Sequence, residues 1–117
     1  MFKNGMRPIH PGEVLREEFL VPLGLSANAL ATALRLSAPR INDIVREKRG
    51  VTADTALRLA RYFNTSAQFW LNLQSAFELR TAEITWEKII NLDITPMVVP
   101  DAANEETQPQ LKRLRLG

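Results

Sequence analysis

The heptapeptide "RINDIVR", Arg40 to Arg46, sets four polar side chains, Arg40, Asn42, Asp43 and Arg46, around two isoleucines, Ile41 and Ile44. Isoleucines three apart share one face of a helix, so the polar group belongs to the other face. Ser37 is suited to cap that helix, and Pro39 falls in its first turn, where a missing N–H costs little. The chemistry open to these side chains is hydrogen bonding to the edges of base pairs: arginine to guanine, asparagine to adenine, a carboxylate to the amine of cytosine. Pro39, Arg40, Asn42, Asp43 and Arg46 are therefore the candidates for base contact. Asp43 has two assignments, reading a base or orienting Arg40 across an (i, i+3) contact. The second is favoured, because an unpaired carboxylate near phosphates is repelled.

Around this helix lie groups suited to a phosphate backbone: Ser26 and Asn28 at one predicted helix start, Ser37 at another, Lys48 and Arg49 beyond it, and Thr52 at a third. The net charge is only +2, but it is unevenly spread. Seven cations and three anions fall between Arg35 and Tyr62, giving that block +4 and the remainder −2. A basic block in a nearly neutral chain suits a polyanionic partner, although solvated helix faces produce such blocks too.

Other chemistry is poorly provided for. His10 is the only histidine, and although Glu13, Glu17 and Glu18 are near it in sequence, no second histidine completes a metal cluster. The simpler account is a turn residue before acids that suit a helix's first turn. There is no cysteine nucleophile, Gly-rich phosphate loop or GxSxG elbow. The expectation is a protein that is not an enzyme, with no cofactor, no metal and no small-molecule substrate. No stretch has the apolar length of a membrane span, so no membrane is expected. The start "MFKNGMRPIHP" lacks the apolar core of a signal peptide, and with no cysteine the cytoplasm is the expected compartment.

The 117 residues suffice for one domain. Periodicity predicts five short helices. The first carries Val14, Leu15, Phe19 and Leu20 and ends at Pro22 and Gly24; the second begins at Ser26, with Leu30, Ala31 and Leu34 inward. The third follows Ser37, with Gly50 closing it or the loop after it. The fourth starts at Thr52 with Ala56, Leu57, Leu59, Ala60 and Phe63 inward, and the fifth starts at a Thr65–Gln68 capping box and runs to about Arg80. The fold class is therefore all-α. "ITWEKIINL" reads as a further short helix, "ITPMVVP" as a short edge strand at best, and "DAANEETQPQLKRLRLG" as a mobile tail.

From Ala27, apolar residues recur at window positions 4, 8, 10, 15 and 18, with the small Ala31 at position 5. Two helices that cross steeply need a small residue at the crossing and apolar anchors on both, which is the helix-turn-helix pattern. Its second helix turns its outer face to the major groove. The turn position, usually glycine, is Arg35 here, which allows a slightly different turn and leaves the exact tilt of the third helix open.

"HPGEVLREEFL" and "ALATALRLSAPRINDIVREKRGVTADTALRLARYFNTSAQFWLNLQ" resemble the HigA family of antitoxins, within the phage-repressor-like helix-turn-helix class. The resemblance runs from about residue 6 to 83, and the "HPGE" start and "FWLNLQ" are its more specific parts. It implies a five-helix DNA-binding domain over 1–83, including a dimerisation helix, and a C-terminal extension over 84–117. It further implies a homodimer that binds an inverted-repeat operator, represses its own operon and neutralises a HigB-type, RelE-like ribonuclease toxin. By the same analogy the fifth helix forms the dimer contact, through Phe69, Trp70, Leu73 and Phe77; the competing assignment puts all four in the monomer core. The outward Arg16, Glu17 and Glu18 of the first helix are one candidate toxin surface and the tail is another. The alternatives of other classes are a stand-alone phage-type repressor without a toxin and an adaptor that has lost DNA binding.

Overall fold

The computed structural model describes residues 6–100; the polar and basic stretch read above as a tail lies outside them. The described residues are helical, with no strand. The chain divides after Glu87 into two units. The first contains α1, formed by the consecutive stretches Pro11–Val14, Leu15–Leu20 and Val21–Leu23, then α2 (Ala27–Leu34), α3 (Ala38–Val45), α4 (Ala53–Phe63) and most of α5 (Ala67–Asp93). In the second, the described residues are the end of α5 and residues 94–100, which form no helix or strand.

The middle of α1 is a wide turn with i to i−5 hydrogen bonds, such as that from the Val21 N–H to the Arg16 carbonyl. It lies just ahead of Pro22, whose ring would crowd a regular α-helical turn and whose nitrogen donates nothing. Gly24 then takes a left-handed conformation, φ 61°, and ends the helix.

Its start is more tightly specified. His10 Nδ1 accepts from the Gly12 N–H at 2.8 Å, capping the helix, and the His10 ring is buried edge-on to Phe77 with centroids 4.8 Å apart. Gly12 lies against the carbonyl of Ile44, and a Cβ there would fall far inside contact distance of that main-chain oxygen. "HPGE" is thus a cap followed by a close approach. Arg7 then brackets Glu13 with bonds of 2.8 and 2.7 Å, which hold the Glu13 carboxyl below its ordinary range.

The core gathers Leu15, Leu20, Leu30, Ala31, Leu34, Ile41, Ile44, Val51, Ala56, Leu59 and Trp70. Trp70 is fully buried, lies 5.1 Å from Phe19 by ring centroids, and donates its indole N–H to the Thr65 hydroxyl at 2.9 Å.

Three expectations about the C-terminal half are corrected. The α5 cap is Ser66, whose hydroxyl accepts from the Phe69 N–H at 3.0 Å; Thr65 is occupied by Trp70, and Gln68 bonds Asn72. The helix does not stop near Arg80. No glycine or proline interrupts residues 81–93, so "ITWEKIINL" continues it to Asp93. Finally, "ITPMVVP" is not a strand, because it has no ladder partner among the described residues and carries Pro96 and Pro100.

Gly12→Ala should lower unfolding free energy by about 2 kcal/mol or more, since main chain cannot yield as a side chain can. Gly24→Ala, with open space around it, should cost only about 1 kcal/mol for its φ; equal losses in urea titrations would contradict the Gly12 contact. Burial lowers the His10 pKa, opposed by the charge of Glu47. His10 therefore contributes stability above the unfolded value of about 6.5, and that contribution is lost as pH falls through the lower folded value. The urea midpoint should drop as pH falls through and below about 6.5, and His10→Asn, which keeps an acceptor for Gly12, should flatten that drop.

Candidate nucleic-acid interface

Helices α2 and α3 form the helix-turn-helix, and the turn between them is the regular one. Arg35 takes φ 61° and ψ 40°, the left-handed conformation usually given to glycine, so the departure left open at this position does not occur. The Leu36 N–H closes the turn on the Ala31 carbonyl at 2.9 Å. Arg58, reaching from α4, donates to the Leu34 and Arg35 carbonyls at 2.8 and 3.4 Å, supplying hydrogen bonds where the turn leaves carbonyls free.

The hydroxyls of Ser26, Ser37 and Thr52 accept from the amides of Ala29, Arg40 and Thr55, so all three predicted caps form. These residues, with Asn28, Lys48 and Arg49, are all exposed.

On α3, Ile41 and Ile44 are wholly buried. With a residue about every 100°, the opposite face is centred on Pro39 and Arg46, flanked by Asn42 on one side and Asp43 on the other. Pro39 and Arg46 are exposed, and Arg46 has no ion-pair partner among the described residues. Arg40 does not belong to this group. It turns toward α4, donating to Thr55 and Thr52 at 3.0 and 3.3 Å and lying 3.7 Å from Asp54. The expectation that Asp43 orients Arg40 fails for the same reason: Asp43 pairs with Arg49 at 3.9 Å. Asn42 turns toward α2, donating to Asn28 Oδ1 at 2.8 Å and to the Ala38 carbonyl at 2.9 Å.

After α3 the chain reverses through Glu47 at φ 66°, a residue for which no unusual conformation was expected. Arg16 explains part of it. Expected to face outward, Arg16 instead donates to the Val45 carbonyl at 2.6 Å and to Glu47 at 3.2 Å, clasping the end of α3 from α1. One of its partners is main chain, and that contact leaves no trace in side-chain spacing. The Asp54–Arg58 pair, at i, i+4, was legible in principle.

Of the four residues assigned by resemblance to a dimer contact, Trp70 is corrected to the core, where it satisfies both its bulk and its N–H. Leu73 and Phe77 are half-buried against the core and His10, and Phe69 stays at the surface against Phe19 and Trp70.

Residues 15–70 match the model of the helix-turn-helix family. The chain is 67% identical over 81 residues to virulence-associated protein I of Dichelobacter nodosus, covering 69% of this chain and 75% of that one. It is 38% identical over 80 residues to antitoxin HigA-1 of Vibrio cholerae, covering 68% and 74%. Among solved structures, the Pseudomonas aeruginosa antitoxin HigA with the higBA promoter superimposes with a TM-score of 0.77 at 59% identity, covering 79% of this chain and 100% of that one.

Glycine at the left-handed turn should relieve strain: Arg35→Gly is expected to raise unfolding free energy by about 1 kcal/mol. Arg58→Ala should lower it by about 1 kcal/mol through the lost carbonyl bonds. A destabilised Arg35→Gly variant in urea titration would contradict the turn geometry.

Proposed function

Because the chain belongs to the HigA family of helix-turn-helix antitoxins, we propose that it binds operator DNA as a dimer, represses its own operon and neutralises a HigB-type ribonuclease toxin. The observation that carries the DNA-binding part is the composition of the outer face of α3. Pro39, Asn42, Asp43 and Arg46 line it, with Ser26, Asn28, Ser37, Lys48, Arg49 and Thr52 exposed around it. In this reading α3 lies in the major groove: Arg46 meets a base edge, and the surrounding hydroxyls, amides and cations meet phosphates on both sides. Arg40 acts through α4, holding the start of α3 in place.

Support for the reading comes from the 59% identity to an antitoxin solved with promoter DNA. Two copies on an inverted repeat set their recognition helices about 34 Å apart, one turn of the duplex. The dimer contact runs along α5, where Phe69 is joined at the surface by Leu79, Ile84 and Trp86. Toxin neutralisation rests on kinship with antitoxin HigA-1.

Co-expression with the neighbouring gene, followed by affinity purification and a gel shift on upstream DNA, tests the whole reading. A co-eluting small basic protein with a shifted band supports it. A shift without a partner leaves a stand-alone repressor, and a partner without a shift leaves an adaptor. Within the DNA-binding part, Arg46→Ala should cost about 1–3 kcal/mol on the operator and relax specificity at one base pair. Lys48→Ala should weaken all sequences alike and reduce the salt slope by about 1; a salt-independent affinity would contradict the phosphate assignments.

A further inference from the structure

The side-chain amide of Asn42 carries two N–H donors, and both are used within the protein: one by Asn28 Oδ1 at 2.8 Å, the other by the Ala38 carbonyl at 2.9 Å. What remains is Oδ1, an acceptor only. An asparagine free to present both groups would pair with adenine through N6 and N7, and this one has no N–H left for N7. Asn28 is in the complementary position. Its Oδ1 is taken by Asn42, while its own two N–H donors have no partner among the described residues, and it is exposed in the first turn of α2.

We infer that Asn42 is a specificity-determining acceptor and Asn28 its positioning residue: Asn42 takes a hydrogen bond from the exocyclic amine of an adenine or cytosine, and Asn28 enforces that polarity while donating to phosphate. The inference rests on the proposal that α3 enters the major groove. Guanine and thymine present an oxygen at the corresponding place, so an acceptor-only side chain is repelled by them. Asn28 thereby differs from the other phosphate candidates. Losing it frees one Asn42 N–H, which can then donate to a guanine or thymine oxygen, and this changes the base preference as well as the affinity.

The test measures the binding of full-length wild type, Asn42→Ala, Asn28→Ala and Asn28→Asp to duplexes of the upstream DNA, each with one base pair changed. Far-ultraviolet circular dichroism and urea midpoints check that each variant is folded. Asn42→Ala is expected to remove roughly tenfold discrimination at one base pair, and replacing the adenine or cytosine there with its analogue lacking the exocyclic amine should weaken wild type about tenfold while leaving Asn42→Ala unchanged. Replacing a preferred adenine with 7-deazaadenine should leave wild-type affinity unchanged. Asn28→Ala should flatten discrimination at the same pair. Asn28→Asp keeps an acceptor for the Asn42 amide but has no donor for phosphate, so it should preserve that discrimination while lowering affinity for every duplex. Unchanged wild-type affinity for the duplex whose adenine or cytosine at that pair lacks the exocyclic amine, a loss of affinity with 7-deazaadenine, or a uniform loss in both Asn28 variants would overturn the inference while leaving DNA binding intact. A wild-type protein without sequence-specific binding would overturn the DNA-binding proposal itself, and the inference with it.

Discussion

The approach of Gly12 to the main-chain carbonyl of Ile44 is the contact on which the position of α3 depends. A helix end leaves its last carbonyls without intrahelical partners, and α3 has only eight residues with which to resist fraying. Here that end is covered from outside. Gly12 lets the start of α1 pack directly on it, and Arg16, one turn later, satisfies the Val45 carbonyl and braces Glu47 in its left-handed conformation. His10 fixes the start of α1, so the cap, the glycine and the arginine form one device that fixes where α3 ends.

The other end of α3 is held by polar groups rather than by packing. Ser37 caps it, Arg40 ties it to Thr52, Thr55 and Asp54, and Arg58 joins Asp54 to the carbonyls of the turn. Most of these groups are partly exposed, so each pair contributes modestly to stability. Their effect is orientation. With Ile41 and Ile44 anchored and both flanks tied, the outer face of α3 is fixed relative to the starts of α2 and α4, where the phosphate candidates sit.

Much of this was legible in the sequence, for identifiable reasons. Caps, the inward isoleucines and the helix-turn-helix spacing are local patterns, and they appear where Ser26, Ser37, Thr52, Ile41 and Ile44 predicted. Arg40 leans away from the other candidates, because residue type indicates what a side chain can bond, not which way it leans; on α3 it lies on the α4 side, next to two threonines. Asp43 was misassigned by the same reasoning, since an (i, i+3) spacing allows a contact without requiring it. Trp70 looked like a surface anchor because α5 has more apolar positions than one inward stripe needs, and periodicity alone does not say which of them face inward. The length of α5 was missed for a different reason: "ITWEKIINL" was read as a separate short helix, and only the absence of glycine and proline between residues 81 and 93 joins it to the helix before it.

Whether the outer face of α3 meets the major groove in two copies is directly measurable. The chain has no cysteine, so Pro39→Cys creates a single attachment point at the centre of that face. A DNA-cleaving iron chelate attached there and bound to the upstream DNA should cut in two clusters about one helical turn apart, both in the major groove. Scattered cutting, or a single cluster on the minor-groove side, would contradict the placement of α3.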